Sequence, residues 1–176
     1  MSNWIMFFDE EEIKNLLELN MYERAKIIVE RLFQNTVDKA GEPYVNHLYR
    51  VSNRLECIDE KIIGLLHDII EDTIITAKDL IDMGFKKDIV DCIELLTKDN
   101  KSTYKSLEDK LIGYNKKIDK IIESKNISAL RVKKADISDN YDLDRIQKLD
   151  IDMQMWFEKK YKNNLIKLKD AERKIL

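Results

Sequence analysis

Glycine and proline are scarce. The 176-residue chain holds 4 Gly and 1 Pro, too few to punctuate a many-stranded sheet, whose turns draw on Gly, Pro and Asn-Gly pairs. Cysteine is scarcer than a stapled scaffold needs: Cys57 and Cys92 stand far apart with no C-x-x-C spacing. They read as two small buried hydrophobes in a reduced chain, with one disulfide as the alternative. Long hydrophobic runs are missing too, and none approaches the ~18–20 residues of a membrane span. The short run from Trp4 to Phe8 leads into Asp9-Glu10-Glu11-Glu12, unlike a secretory leader. There is no basic surplus either. A net charge of −3 argues against bulk nucleic-acid binding, so an anionic ligand would be met by local lysines or by a metal. The expectation is a cytoplasmic chain without membrane or bulk nucleic-acid partners, its oligomeric state open.

What is abundant points to helices. Apolar residues make up 44% and charged residues 37% of the chain, the composition of long helices with one solvated face. Residues 10–19 and 21–35 repeat apolar positions at three- and four-residue spacing (Ile13, Leu16, Leu17; Ala25, Ile28, Leu32). The pattern breaks over 35–43, and Pro43 suits the first turn of a helix over 43–57. Asp59 is a plausible N-cap for a helix over 60–72. Thr76 and Asp79 read as a capping box for a short helix ended by Gly84. Further helices are predicted over 87–97, 104–124, 127–138 and 146–169. The expected fold is all-α, a single compact helical domain over 1–176. Residues 1–20 would form a peripheral N-terminal helix, and 146–176 a C-terminal helix packed on the core through Met153, Trp156, Phe157, Tyr161, Leu165 and Leu168. Lys159, Lys160, Lys162, Lys167 and Lys169 would be its solvated face.

One predicted helix carries groups that a core helix should not. In Ile62-Ile63-Gly64-Leu65-Leu66-His67-Asp68-Ile69-Ile70-Glu71-Asp72-Thr73, a continuous helix puts Gly64, His67, Asp68, Glu71 and Asp72 on one side. Burying ionised carboxylates among apolar neighbours is expensive unless a cation or hydrogen bonds compensate, and a metal site meets that demand. The other of the chain's 2 histidines, His47, follows Gly41-Glu42-Pro43-Tyr44 one helix earlier. A second polar strip sets Lys133, Asp136 and Asn140 on one face at +3 and +4 steps. The plain alternatives are helix-end acids at Glu71 and Asp72, a cap at Asn140, a core tyrosine at Tyr44 and an exposed lysine at Lys39.

Together these segments carry a resemblance. Gly41-Glu42-Pro43-Tyr44 with His47, Leu65-Leu66-His67-Asp68 with Glu71-Asp72-Thr73, Leu96-Thr97-Lys98, and Lys133-x-Ala135-Asp136 with Asn140 stand in one order across about residues 22–165. In these motifs the sequence resembles the HD-domain metal-dependent phosphohydrolases, and within them the hydrolase domain of RelA/SpoT-type guanosine polyphosphate enzymes and their small stand-alone relatives. The resemblance implies a helical HD-domain bundle and one divalent metal held by His47, His67, Asp68 and Asp136. The metal is typically Mn2+, and two imidazoles with two carboxylates also suit Fe2+ or Zn2+. Glu71 and Asp72 would position and activate the attacking water. Lys39, Tyr44, Lys133 and Asn140 would contact a small-molecule nucleotide, and a polar loop of Lys98, Asn100, Lys101, Ser102 and Tyr104 could cover it.

The implied activity is hydrolysis of a nucleotide-like phosphate or pyrophosphate ester, with guanosine 3′,5′-bis(diphosphate) 3′-pyrophosphohydrolysis first among candidates. An Ala-His pair common earlier in the family is missing, since His47 and His67 are the chain's only histidines, and two further positions depart from the pattern. Asp38 stands where many relatives carry an arginine that stacks on guanine, and a carboxylate supplies no planar cation. Asp139 stands where a histidine or tyrosine is usual. The alternatives are a metal- and nucleotide-binding regulatory module without efficient turnover, an HD phosphohydrolase for a different nucleotide, or a helical adaptor whose polar strips meet a partner.

Overall fold

The structure, a computed structural model, describes residues 3–98 and 105–175. Asn100, Lys101, Ser102 and Tyr104, and the predicted helix start at 104, lie outside them. Among the described residues there is no strand, only an isolated bridge between Val37 and Pro43. After a 3-10 segment, Asn3–Phe7, come α1 (Glu10–Glu18), α2 (Met21–Leu32), α3 (Tyr44–Asn53), α4 (Ile58–Leu66), α5 (Ile69–Asp72), α6 (Ala77–Asp82), α7 (Lys87–Leu96), α8 (Leu107–Glu123), α9 (Ile127–Asn140), α10 (Leu143–Ile146) and α11 (Ile151–Ile175). The all-α expectation holds. By internal contacts the chain divides into two compact units, Met1–Thr97 and Lys98–Leu176.

The first unit is organised around α4, which packs on α2, α3 and α7. A helix with three neighbours must be apolar nearly all round, and Ile62, Ile63, Leu65 and Leu66 are all buried. Each such side chain contributes roughly 1.5–3 kcal/mol on leaving water. Gly64 lets α4 approach α3 closely: a Cβ there would lie 2.9 Å from Leu55 Cδ1 and 3.1 Å from Ser52 Cα. Ser52 Oγ adds a hydrogen bond to the Lys61 carbonyl at 3.0 Å.

Residues 3–20 are tied into this unit. Trp4, Phe8 and Leu16 are buried, and the Asn3 backbone N–H donates to Asp79 Oδ1 at 2.7 Å. Buried Arg24 donates to the carbonyls of Leu16, Leu17, Leu19 and Met83, closing the end of α1 onto α2 and α6. The Thr76–Asp79 capping box is present, and Gly84 follows α6 with φ +81°.

In the second unit α11 packs on α8 and α9. Its buried stripe is Phe157, Tyr161, Asn164, Leu168 and Ala171. Met153, Trp156 and Leu165, expected in that stripe, are half-exposed. Asn164 takes a core position because its amide donates to Asn115 Oδ1 at 2.7 Å and to the Lys160 carbonyl at 2.8 Å. Lys160 leaves the solvated face to lie over the rings of Tyr114 and Tyr161. The helix predicted over 146–169 begins later, as α11 at Ile151, because Asp150 Oδ1 accepts the Met153 N–H at 2.9 Å and starts it there; Ile146 is the last residue of the short α10.

Three smaller expectations are corrected. The helix of 60–72 is interrupted at His67–Asp68, giving α4 and α5. Asp59 lies inside the first turn of α4, and Cys57 holds the N-cap position. Cys57 is exposed, and only Cys92 is a buried hydrophobe; both are free thiols.

Candidate metal centre

His47 sits on α3, entered through Pro43 at the N-cap position, and His67 and Asp68 occupy the break between α4 and α5. That break has a local cause. His67 Nδ1 lies 2.8 Å from the Gly64 carbonyl oxygen, the acceptor a continuous helix would offer to the Asp68 N–H. A carbonyl only accepts, so Nδ1 carries the proton, and in the neutral ring the Nε2 lone pair points the other way. Nε2 is 3.0 Å from Asp68 Oδ2. The His47 and His67 rings meet edge-on with centroids 5.5 Å apart, and both side chains are buried.

One ligand atom from each of His47, His67 and Asp68 falls within 4.8 Å of the other two. Two buried imidazoles and a carboxylate without thiolate suit a borderline divalent cation, and the Nδ1–H to carbonyl bond is the outer-shell contact that orients a ligating histidine. The donor set fits a metal. The structure thus brings together three of the four expected ligands, all in the first unit.

Tyr44, expected to contact the nucleotide, reaches the same cluster. Its hydroxyl donates to Asp68 Oδ2, and its ring packs between Phe33 and His47 at 5.2 and 5.5 Å. The break at His67–Asp68 also changes the setting of Glu71 and Asp72. They are the last two residues of α5, a single turn of four residues, rather than the end of one continuous helix over 60–72. Glu71 is half-buried and Asp72 exposed.

Asp38 has a structural role that its sequence position did not reveal. Its Oδ1 accepts the backbone N–H of Ala40 at 2.8 Å and of Glu42 at 3.0 Å, and its own N–H donates to the Glu42 carbonyl. Arg50 on α3 stands beside both acids, 3.9 Å from Asp38 and 3.5 Å from Glu42. Lys39, on the same loop, is exposed.

In the second unit, α9 holds Asp136 from both sides. Lys133 Nζ donates to Oδ2 at 2.7 Å, and Asn140 Nδ2 to Oδ1 at 2.6 Å. Lys133 and Asp136 are both buried, where an unpaired charge would be costly. Asn140 is the last residue of α9, and the same Nδ2 also donates to the Asp136 backbone carbonyl at 3.1 Å, so it serves the carboxylate and closes the last turn of the helix. Asp139, fully buried, pairs with Arg145 on α10.

No family model matches the chain. Its helical architecture is that of a solved structure, with a TM-score of 0.65 at 21% identity over 89% of this chain and 96% of the other. That neighbour is a metazoan ortholog of SpoT that hydrolyses ppGpp. Among curated proteins, 130 residues, 70% of this chain, are 32% identical to a GTP pyrophosphokinase of Myxococcus xanthus, and the match spans 17% of that larger protein. Among the described residues no helix is long and apolar enough to cross a membrane.

Proposed function

We propose that this chain is a cytoplasmic, metal-dependent phosphohydrolase of the HD type, related to the RelA/SpoT hydrolases, in which both units serve one hydrolase domain. Its substrate is a nucleotide-like pyrophosphate ester, guanosine 3′,5′-bis(diphosphate) first. The convergence of His47, His67 and Asp68 on one point carries this reading, and the fold of a ppGpp-hydrolysing neighbour supports it. Asp136 is the fourth ligand of the proposal, and Mn2+ its first metal, with Fe2+ or Zn2+ as alternatives.

When bound, a divalent cation there supplies a Lewis acid that acidifies water and offsets phosphoryl charge. The chain's own residues do the rest. The Gly64 carbonyl holds the His67 proton on Nδ1, so that Nε2 offers its lone pair as a metal ligand. Glu71 and Asp72 orient the attacking water and take its proton. Water attacks the phosphorus bonded to O3′, the P–O3′ bond breaks, its electron pair passes to O3′, and the proton completes the hydroxyl. The products are GDP and pyrophosphate. Lys39, Tyr44, Lys133 and Asn140 are the proposed substrate contacts.

A second reading, a hydrolase for a different nucleotide, is favoured by Asp38, whose carboxylate is engaged with its own loop. A manganese-supplemented screen of nucleotides with products identified separates the two, with Asp68→Asn as control. Pyrophosphate release from the guanosine bis(diphosphate) supports the first reading, and turnover confined to another nucleotide supports the second. Equal turnover by Asp68→Asn refutes both.

A further inference from the structure

We infer that Tyr44 is a positioning residue for the metal ligands, acting through Asp68; this rests on the metal site proposed above. Tyr44 opens α3 immediately after Pro43, and its backbone N–H donates to the Thr36 carbonyl at 2.8 Å. The start of the side chain is therefore fixed by the loop that Asp38 organises. Its ring is held between Phe33 and His47, so packing sets the ring's direction as well. The hydroxyl that this anchored ring carries donates to Asp68 Oδ2, the oxygen that also faces His67 Nε2 at 3.0 Å.

A carboxylate at a helix break can rotate about its Cβ–Cγ bond. One directed hydrogen bond to one oxygen removes that freedom. Tyr44 thereby sets which face of Asp68 turns toward the two imidazoles, and its ring braces His47 from the side. Both effects are made by one residue from α3, on ligands contributed by α3 and by the α4–α5 break. Outer-shell partners of this kind change metal affinity by roughly 10- to 100-fold when lost.

Tyr44→Phe keeps the ring and deletes the hydroxyl. Mn2+ titration of the full chain, reading free Mn2+ by electron paramagnetic resonance, should give a dissociation constant roughly 10- to 100-fold weaker than wild type. The visible spectrum of the Co2+-loaded variant should shift, reporting an altered coordination geometry, while the far-ultraviolet circular dichroism stays the same. Wild-type affinity together with an unchanged Co2+ spectrum would overturn the role of Tyr44 and leave the metal site standing. Failure of the wild-type chain to bind either metal would overturn both.

Discussion

Gly64→Ala is the smallest substitution that tests how the site is built. The added Cβ would stand 2.9 Å from Leu55 Cδ1, 3.1 Å from Ser52 Cα and 3.3 Å from Ser52 N. The Leu55 methyl can turn aside, but the Ser52 backbone moves only with α3, so the two helices must separate by a few tenths of an ångström. Overpacking of this sort costs about 1–3 kcal/mol. Alanine's better helix propensity returns about 1 kcal/mol, leaving a net loss of about 1 kcal/mol. For a chain of this size the midpoint of thermal unfolding should fall by about 2–4 °C. His47 rides on α3 and His67 ends α4, so the same displacement should weaken Mn2+ binding. Calorimetry and a metal titration on one preparation measure both. A variant as stable as wild type, with the same Mn2+ affinity, would show that the close approach at Gly64 does not set the spacing of the histidines.

Two further outcomes follow from buried groups elsewhere. Burial alone would raise the Asp79 carboxyl, but hydrogen bonds from Thr76 and Asn3 outweigh it and hold the group below its ordinary 3.8. A depressed folded value means stability present above pH ~4 and lost as pH falls through the lowered value. In a Trp156→Phe background, Trp4 emission should therefore shift red on acidification as the N-terminal segment detaches, and Asp79→Asn should lose that part of the acid response; an identical acid profile in the Asn variant would refute it. Burial, with a smaller contribution from Glu60, pushes the Cys92 thiol up to about 12. At pH 8 a thiol reagent should label exposed Cys57 rapidly and Cys92 only after denaturation; rapid labelling of both in the native protein would contradict the packing of α7.

The helices were legible where local chemistry decides them. The Thr76–Asp79 box, the glycine after α6 and the three- and four-residue apolar spacing of α1 and α2 are properties of short segments, and the structure has them. The break at His67–Asp68 was not legible, because periodicity carries straight through it and the deciding hydrogen bond is made by an imidazole to a carbonyl three residues back. The restart at Asp150 was a weak local signal, one acid among many.

The site was legible as residue types. Both histidines and Asp68 come together as expected, while Asp136 lies in the second unit with Lys133 and Asn140. The roles of partners were not legible. Tyr44 meets Asp68 across 24 positions of sequence, Arg50 stands beside Asp38 and Glu42 only because the loop folds back, and Asn164 enters the core through a partner on α8. Such contacts are tertiary, and spacing along one element does not encode them.

Pyrophosphate release from guanosine 3′,5′-bis(diphosphate), followed in one preparation carried through chelation and reloading, tests the proposed hydrolase most directly. Release should stop on removing the metal, return with about one equivalent of Mn2+ per chain, and be absent from Asp68→Asn at every metal concentration. Undiminished release by the metal-free chain, or by Asp68→Asn, would contradict it.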